Sequence, residues 1–343
     1  MKEKIAELVS KAQRIVILQA DNPDADSLGS ALALEHILSD LGKDVALYCA
    51  VHIPDYLHYV SGWDRVIDQL PSQFDLSIIV DANTMVLFEK LVQANKTALL
   101  QSKPCIVIDH HANIDTPIDF SAITYVDTAA ASTGDIIFDL STSLGWHISD
   151  QAAAHIMTSI LGDTQGLTNE LTTARTFRTM ASLTELGADR PRLESLRREF
   201  NQMAEKIFRY KATLITRTEF MFDNRIAVLR IPQEELNEYS PLYNPIPLIQ
   251  PEMLQVKGVA LGIVFKQYDD GKITAALRSN AAYPIAGAVA EAMGGGGHAH
   301  ASGFKITDGR TYDEVKNECL KTAYPLIEAL ENEQDTAATV HTF

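Results

Sequence analysis

The chain has 343 residues, 46% apolar and 22% charged, a composition that suits a well-cored globular protein long enough for two domains. Its 29 Lys+Arg against 45 Asp+Glu give a formal charge of −16, which repels long nucleic-acid polymers unless basic residues gather locally, but leaves short phosphate-bearing ligands open. No signal-peptide pattern or bilayer-length apolar run is read, and Cys49, Cys105 and Cys319 form neither a disulfide framework nor zinc spacing, so a reducing cytoplasm is the expected home.

Taken in chain order, the first half alternates strand with helix. The apolar runs 14–20 (RIVILQA), 45–49 (VALYC), 76–82 (LSIIVDA) and 105–111 (CIVIDHH) read as buried strands. Between the first two, 26–42 (DSLGSALALEHILSDLG) reads as a helix that stops on glycine. That order predicts an α/β fold, with an N-terminal parallel sheet covered by helices on both faces. Three strands run into acidic or imidazole residues at their C-terminal ends: Asp24 and Asp26, then Asp81, then Asp109, His110 and His111. Open α/β sheets bind ligands beyond those ends, so these residues are expected to converge in space.

Helical patterns resume over 149–187, where Asp163 interrupts the apolar face of SILGDTQG. The charged stretch 191–214 reads as a connecting helix between a first domain, 1–190, and a smaller C-terminal α/β domain, 215–331. There the strands are shorter: 225–231, 256–267 and 272–279, the last two joined by the turn YDDG. A final helix over 311–331 precedes a polar tail, 332–343, expected to be frayed and flexible.

The chemistry-bearing residues fall in four clusters. Asp24 or Asp26 reads equally well as a helix cap or as a ligand, and Asp81 taken alone is also a cap candidate. Asp109, His110 and His111 have no packing purpose at the end of an apolar strand, and adjacent histidines commonly ligate metals. Asp163, on an otherwise apolar helix face, calls for a cation or a donor. Together the clusters favour a metal site, and carboxylates with one or two imidazoles suit manganese or magnesium better than zinc.

The motifs NPDADSLGS (22–30), DAN (81–83), DHH (109–111) and GDTQG (162–166) resemble, in order and spacing, those of the DHH phosphoesterase family. LRSN (277–280) and GGGGHAHASGF (294–304) resemble its DHH-associated C-terminal domain. The two-domain layout is most similar to the nano-RNase/pAp phosphatase group. The resemblance implies two manganese ions: Asp24 and Asp81 on one, and Asp26, Asp81, His110 and Asp163 on the other, with Asp81 bridging. Ala20 stands where the family has a histidine, so the first site is rebuilt with Asp21 or water, weakened, or lost. Gln165 stands where the family has glycine. His111, with Asp109, is the expected catalytic pair, His111 contacting the scissile phosphate or protonating a leaving oxygen.

The C-terminal motif is expected to grip substrate. The glycine run, including Gly295, Gly296 and Gly297, lets backbone N–H groups approach an anion, with His298 beside it. Arg278 offers a bidentate fork for phosphate and Ser279 adjoins it, with His300 and Ser302 as weaker candidates. The expected activity is manganese-dependent hydrolysis of short oligoribonucleotides, linear dinucleotides of the pApA type from cyclic-dinucleotide turnover, or 3′-phosphoadenosine 5′-phosphate. A polyphosphatase or pyrophosphatase and a catalytically impaired nucleotide sensor are the rivals. Partners are short RNA or nucleotides, with no long duplex and no membrane, and a homodimer is one expected assembly.

Overall fold

The structure, a computed structural model, describes residues 1–111, 117–240 and 243–340. It divides into two compact units, Met1–Gln202 and Met203–Phe343.

The first unit runs α1 (Lys2–Lys11), β1 (Arg14–Leu18), α2 (Ala25–Asp40), β2 (Asp44–Tyr48), β3 (Val66–Ile67), β4 (Leu76–Val80), α3 (Glu89–Gln93), α4 (Thr97–Gln101), β5 (Cys105–Asp109), β6 (Ile123–Val126), α5 (Thr133–Leu144), α6 (Asp150–Asp163), α7 (Ala174–Glu185) and α8 (Arg190–Phe200). Its six strands pair in parallel in the order β3-β2-β1-β4-β5-β6. Both faces are buried, which explains the unbroken apolar runs. Ile15, Ile17, Ile78, Val80, Ile106 and Ile108 pack with Leu28, Leu32, Ile136 and Ile156 of α2, α5 and α6. Val16, Leu18, Ile79 and Val107 pack on the opposite face with Phe74, Phe88, Leu91 and Leu100. The order in which successive strands are added reverses between β1 and β4, and the crevice beyond the carboxyl ends of such a strand pair is where α/β folds place ligands.

The second unit runs α9 (Glu205–Arg217), β7 (Glu219–Met221), β8 (Ile226–Pro232), α10 (Gln233–Tyr239), α11 (Pro245–Gln255), β9 (Leu261–Gln267), β10 (Ile273–Ser279), α12 (Ala286–Ala292), β11 (Gly296–His298), β12 (Ala301–Ile306) and α13 (Tyr312–Val340). Its sheet, ordered β11-β12-β10-β9-β8-β7, is antiparallel except where β8 meets β9. The YDDG turn joins β9 to β10, with Gly271 at φ 83° and the Tyr268 N–H bonded to Lys272 O at 2.9 Å.

Two expectations change. The stretch 191–214 forms two helices, α8 and α9, parted at residues 201–204. The break lets α9 bury Ile207, Tyr210 and Leu214 in the second unit, whereas α8 buries no residue fully. The last helix continues past 331 to Val340, through Glu, Gln and Ala residues that favour helix and with no glycine to stop it. Residues 341–343 of the expected tail lie outside the described residues.

Candidate metal centre

Asp24 is the N-cap of α2. Its Oδ1 accepts from the Ser27 N–H at 3.0 Å, while Ser27 Oγ accepts from the Asp24 N–H at 2.9 Å, a reciprocal capping box. Asp26, in the first turn, is fully buried. Its Oδ1 accepts from Ser30 Oγ at 2.9 Å and Ser159 Oγ at 2.6 Å, and its Oδ2 accepts from the Thr133 N–H at 2.8 Å. Thr133 opens α5, so the unpaired N–H groups and positive end of that helix meet a buried anion. Glycines allow the helices to approach this closely. A Cβ on Gly29 would lie 2.6 Å from His155 O of α6, and one on Gly162 would lie 2.8 Å from the Cβ of Ala25.

Asp81 follows β4 with φ 58°, a left-handed backbone that costs a non-glycine residue on the order of 1 kcal/mol or more. Its N–H still donates to Ile108 O at 3.0 Å. Its Oδ1 accepts from Thr133 Oγ1 at 3.3 Å and lies 3.7 Å from both His110 Nε2 and His111 Nδ1. Asp109 closes β5, fully buried, and its Oδ1 accepts from the His110 N–H and from His111 Nδ1, each at 2.8 Å. Asn83 donates to His111 O at 3.0 Å, fixing the same turn from the β4 side.

His110 Nε2 lies 2.9 Å from Asp163 Oδ2 and 3.6 Å from Asp26 Oδ2. The ligand-type atoms of Asp26, His110 and Asp163 fall within 4.8 Å of one another, as do those of Asp81, Asp109, His110 and His111. Among the described residues, no Lys or Arg pairs with Asp24, Asp26, Asp81, Asp109 or Asp163, whose only ion-pair partners are the two histidines. Among the described residues, Asp109 Oδ2 is buried without a hydrogen-bond partner. A buried, mainly oxygen donor set with an unsatisfied carboxylate oxygen and no organic cation fits a hard divalent ion.

Electrostatics agree. Burial, then the charges of Asp26, Asp24, Asp163 and Asp109, push the Asp81 carboxyl well above its ordinary range. Burial also raises Asp163, with His110 opposing it. At His110 burial alone would favour the neutral ring, but Asp163, Asp26 and Asp109 outweigh it and lift the imidazole to about 9. The bond to Asp109 raises His111, against burial.

The structure thus gathers Asp26, Asp81, Asp109, His110, His111 and Asp163, and leaves Asp24 outside both groups of ligand atoms. Ala20 is buried in the apolar cluster of Leu18, Tyr48, Ala82 and Phe88. Asp21 does not join the groups either: its Oδ2 accepts from the Lys90 N–H at 2.6 Å, and its Oδ1 has no partner. Gln165 takes φ 51°, so the backbone there is left-handed although the residue is not glycine. Asn83, Thr133 and Ser159 were not foreseen. The run STGD (132–135) before an apolar stretch carries a cap signature that marks the start of α5, where Ser132 Oγ accepts from the Asp135 N–H at 3.2 Å.

In the second unit Arg278 is exposed and, among the described residues, has no acidic partner. Ser279 Oγ instead meets Ala299 O at 3.4 Å and His300 Nδ1 at 3.3 Å, and Ser302 Oγ donates to Ala286 O at 2.5 Å. The glycine run is only partly free. The N–H groups of Gly294 and Gly295 donate to Glu291 O and Ala290 O at 2.9 and 2.8 Å, closing the end of α12. Gly296, Gly297 and His298 form the edge strand β11. Gly297, at φ 138°, allows close approach to β12, because a Cβ there would lie 2.7 Å from Ser302 Cα.

A parallel α/β unit with carboxylates and imidazoles gathered beyond its strand ends presents a donor set suited to a metal-dependent hydrolase. Two family descriptions match: "DHH family, N-terminal domain" over residues 14–161 and "DHHA1 domain" over residues 249–329. The chain belongs to the DHH family. It is 26% identical over 307 residues to the Streptococcus mutans protein named probable bifunctional oligoribonuclease and PAP phosphatase NrnA, covering 88% of this chain and 94% of that one. The fold superposes on an exopolyphosphatase-related protein from Bacteroides fragilis with TM-score 0.83 at 23% identity, over 96% of this chain and 97% of that one. It is also similar to exonuclease RecJ bound to manganese, with TM-score 0.50 at 17% identity, over 94% and 93% of the two chains. Among the described residues, no helix is long and apolar enough to cross a membrane.

Proposed function

We propose that the chain is a manganese-dependent phosphoesterase acting on short oligoribonucleotides, linear dinucleotides of the pApA type, or 3′-phosphoadenosine 5′-phosphate. The observation that carries the reading is the convergence of Asp26, Asp81, Asp109 and Asp163 with His110 and His111 and, among the described residues, no Lys or Arg partner. The names of the NrnA relatives support the substrate class. Manganese is the ion named for the RecJ neighbour, and it suits a donor set of carboxylates with imidazole.

Asp26, Asp81, His110 and Asp163 would hold one ion, with Asp81 shared toward a second. Bound there, divalent ions supply an activated water and neutralise charge on the entering and leaving oxygens of an in-line displacement at phosphorus. The chain's own residues orient the rest. Asp109 can only accept, so the His111 proton at Nδ1 points to it, and Nε2 of this half-exposed ring is left for a phosphate or leaving oxygen. Arg278, His298 and the N–H groups of Gly296 and Gly297 are the proposed grip on a second phosphate. Ser279 and Gly295 shape that grip through the internal bonds they make.

The test is release of mononucleotide or phosphate from pApA, from two- to five-residue oligoribonucleotides and from 3′-phosphoadenosine 5′-phosphate, with manganese and with chelator. Manganese-dependent cleavage of any of these supports the reading. Turnover confined to tripolyphosphate or pyrophosphate would replace it with a polyphosphatase, and binding without turnover would replace it with a sensor.

A further inference from the structure

Gln19 is the last residue but one of the apolar run 14–20 that precedes the aspartate-rich loop, and its side chain is wholly buried. Both amide atoms, Oε1 and Nε2, lack any hydrogen-bond partner among the described residues. An interior amide left this way gives up its hydration on both a donor and an acceptor without compensation. Cores rarely retain such a residue where leucine would fill the same volume.

The position shows what the amide meets. Along β1 the side chains alternate: Ile15 and Ile17 pack with α2, α5 and α6, whereas Val16, Leu18 and Ala20 pack on the other face. Continuing that alternation, Gln19 belongs to the face on which α2 begins and Asp26 is buried. Its N–H donates to Tyr48 O at 3.0 Å, so the strand geometry persists through this residue. The pairing of Leu18 with Ile79 then sets Gln19 level with Val80, one residue before Asp81. Across β4, Asp109 Oδ2 is another buried atom at these strand ends without a hydrogen-bond partner among the described residues.

We infer that Gln19 is a further residue of the metal centre, its amide oxygen binding the ion near Asp81 and its NH2 donating to an oxygen bound to that ion. Amide carbonyls are ordinary ligands of hard divalent cations, and a neutral one adds no charge to an already acidic site. The inference rests on the metal reading above. It also accounts for a buried polar group that nothing else among the described residues satisfies.

The experiment compares manganese binding by isothermal titration and metal-free melting for the wild type, Gln19→Leu and Gln19→Glu. Gln19→Leu is expected to melt no lower than the wild type without metal, since it removes an unsatisfied amide, and to bind manganese about tenfold more weakly. Gln19→Glu is expected to bind manganese at least as tightly as the wild type. Equal affinity in wild type and Gln19→Leu, with the wild type binding manganese, overturns this inference alone. Should Gln19→Leu fail to fold, the glutamate variant decides: weaker manganese binding there means that the residue is only structural. A wild type that binds no manganese overturns the metal reading and this inference with it.

Discussion

Gly162 and Ala25 leave no room for a methyl group between them: a Cβ on residue 162 would sit 2.8 Å from the Cβ of Ala25. Through this contact the end of α6, carrying Asp163, reaches the start of α2, carrying Asp26, so that His110 Nε2 can lie 2.9 Å from one carboxylate and 3.6 Å from the other. Gly162→Ala should therefore push the two helix ends apart, costing about 1–3 kcal/mol of stability and more in function. The check is urea unfolding beside manganese titration. Weakened metal binding in a variant that remains folded is expected, and unchanged binding would show that the approach of the helices does not set the site.

His155, buried on α6, stacks 5.3 Å from His36 of α2. Burial, and then the neighbouring His36 and Arg65, push it down to about 3, against 6.5 for the free group. Below pH 6.5 the unfolded chain takes up this proton and the folded chain does not, so the histidine's share of stability is present above 6.5 and is lost toward 3. Relative to His155→Leu, the wild type should lose roughly 1 kcal/mol per pH unit between pH 6 and 4. Denaturant midpoints of the two proteins across that range supply the measurement, and a difference independent of pH would contradict it.

Arg278→Ala should raise KM for pApA by about tenfold, the loss of a charged hydrogen bond, while leaving bound manganese unchanged. Metal content by atomic absorption beside initial rates separates these effects. An unchanged KM would remove Arg278 from the proposed grip.

Much of this arrangement is legible in the amino-acid sequence. β4 and β5 are buried on both faces, so the runs LSIIV and CIVID carry a signal that needs no partner to interpret. β6 escaped notice because three of its four residues, Thr124, Tyr125 and Val126, are only partly covered or exposed and show no apolar run. Asp24 looks the same in sequence whether it caps a helix or binds a cation, and the cap becomes visible only in the Ser27 contacts. The glycine run shows a lack of side chains but not where each N–H is spent, and two of them are used to close α12. Gln19 was silent for the opposite reason: one polar residue near the end of an apolar run is ordinary, and its isolation exists only in three dimensions.

The central claim, a hydrolytic metal centre organised around Asp81, is tested most directly by Asp81→Asn. Asparagine keeps the shape and accepts the left-handed backbone of this position, so the fold should survive. It also removes a buried charge crowded by four other carboxylates, so metal-free melting should hold or rise. Without metal the variant should melt no lower than the wild type, and with manganese it should show no turnover of pApA above background. Wild-type turnover by a folded, manganese-loaded Asp81→Asn protein would contradict the account.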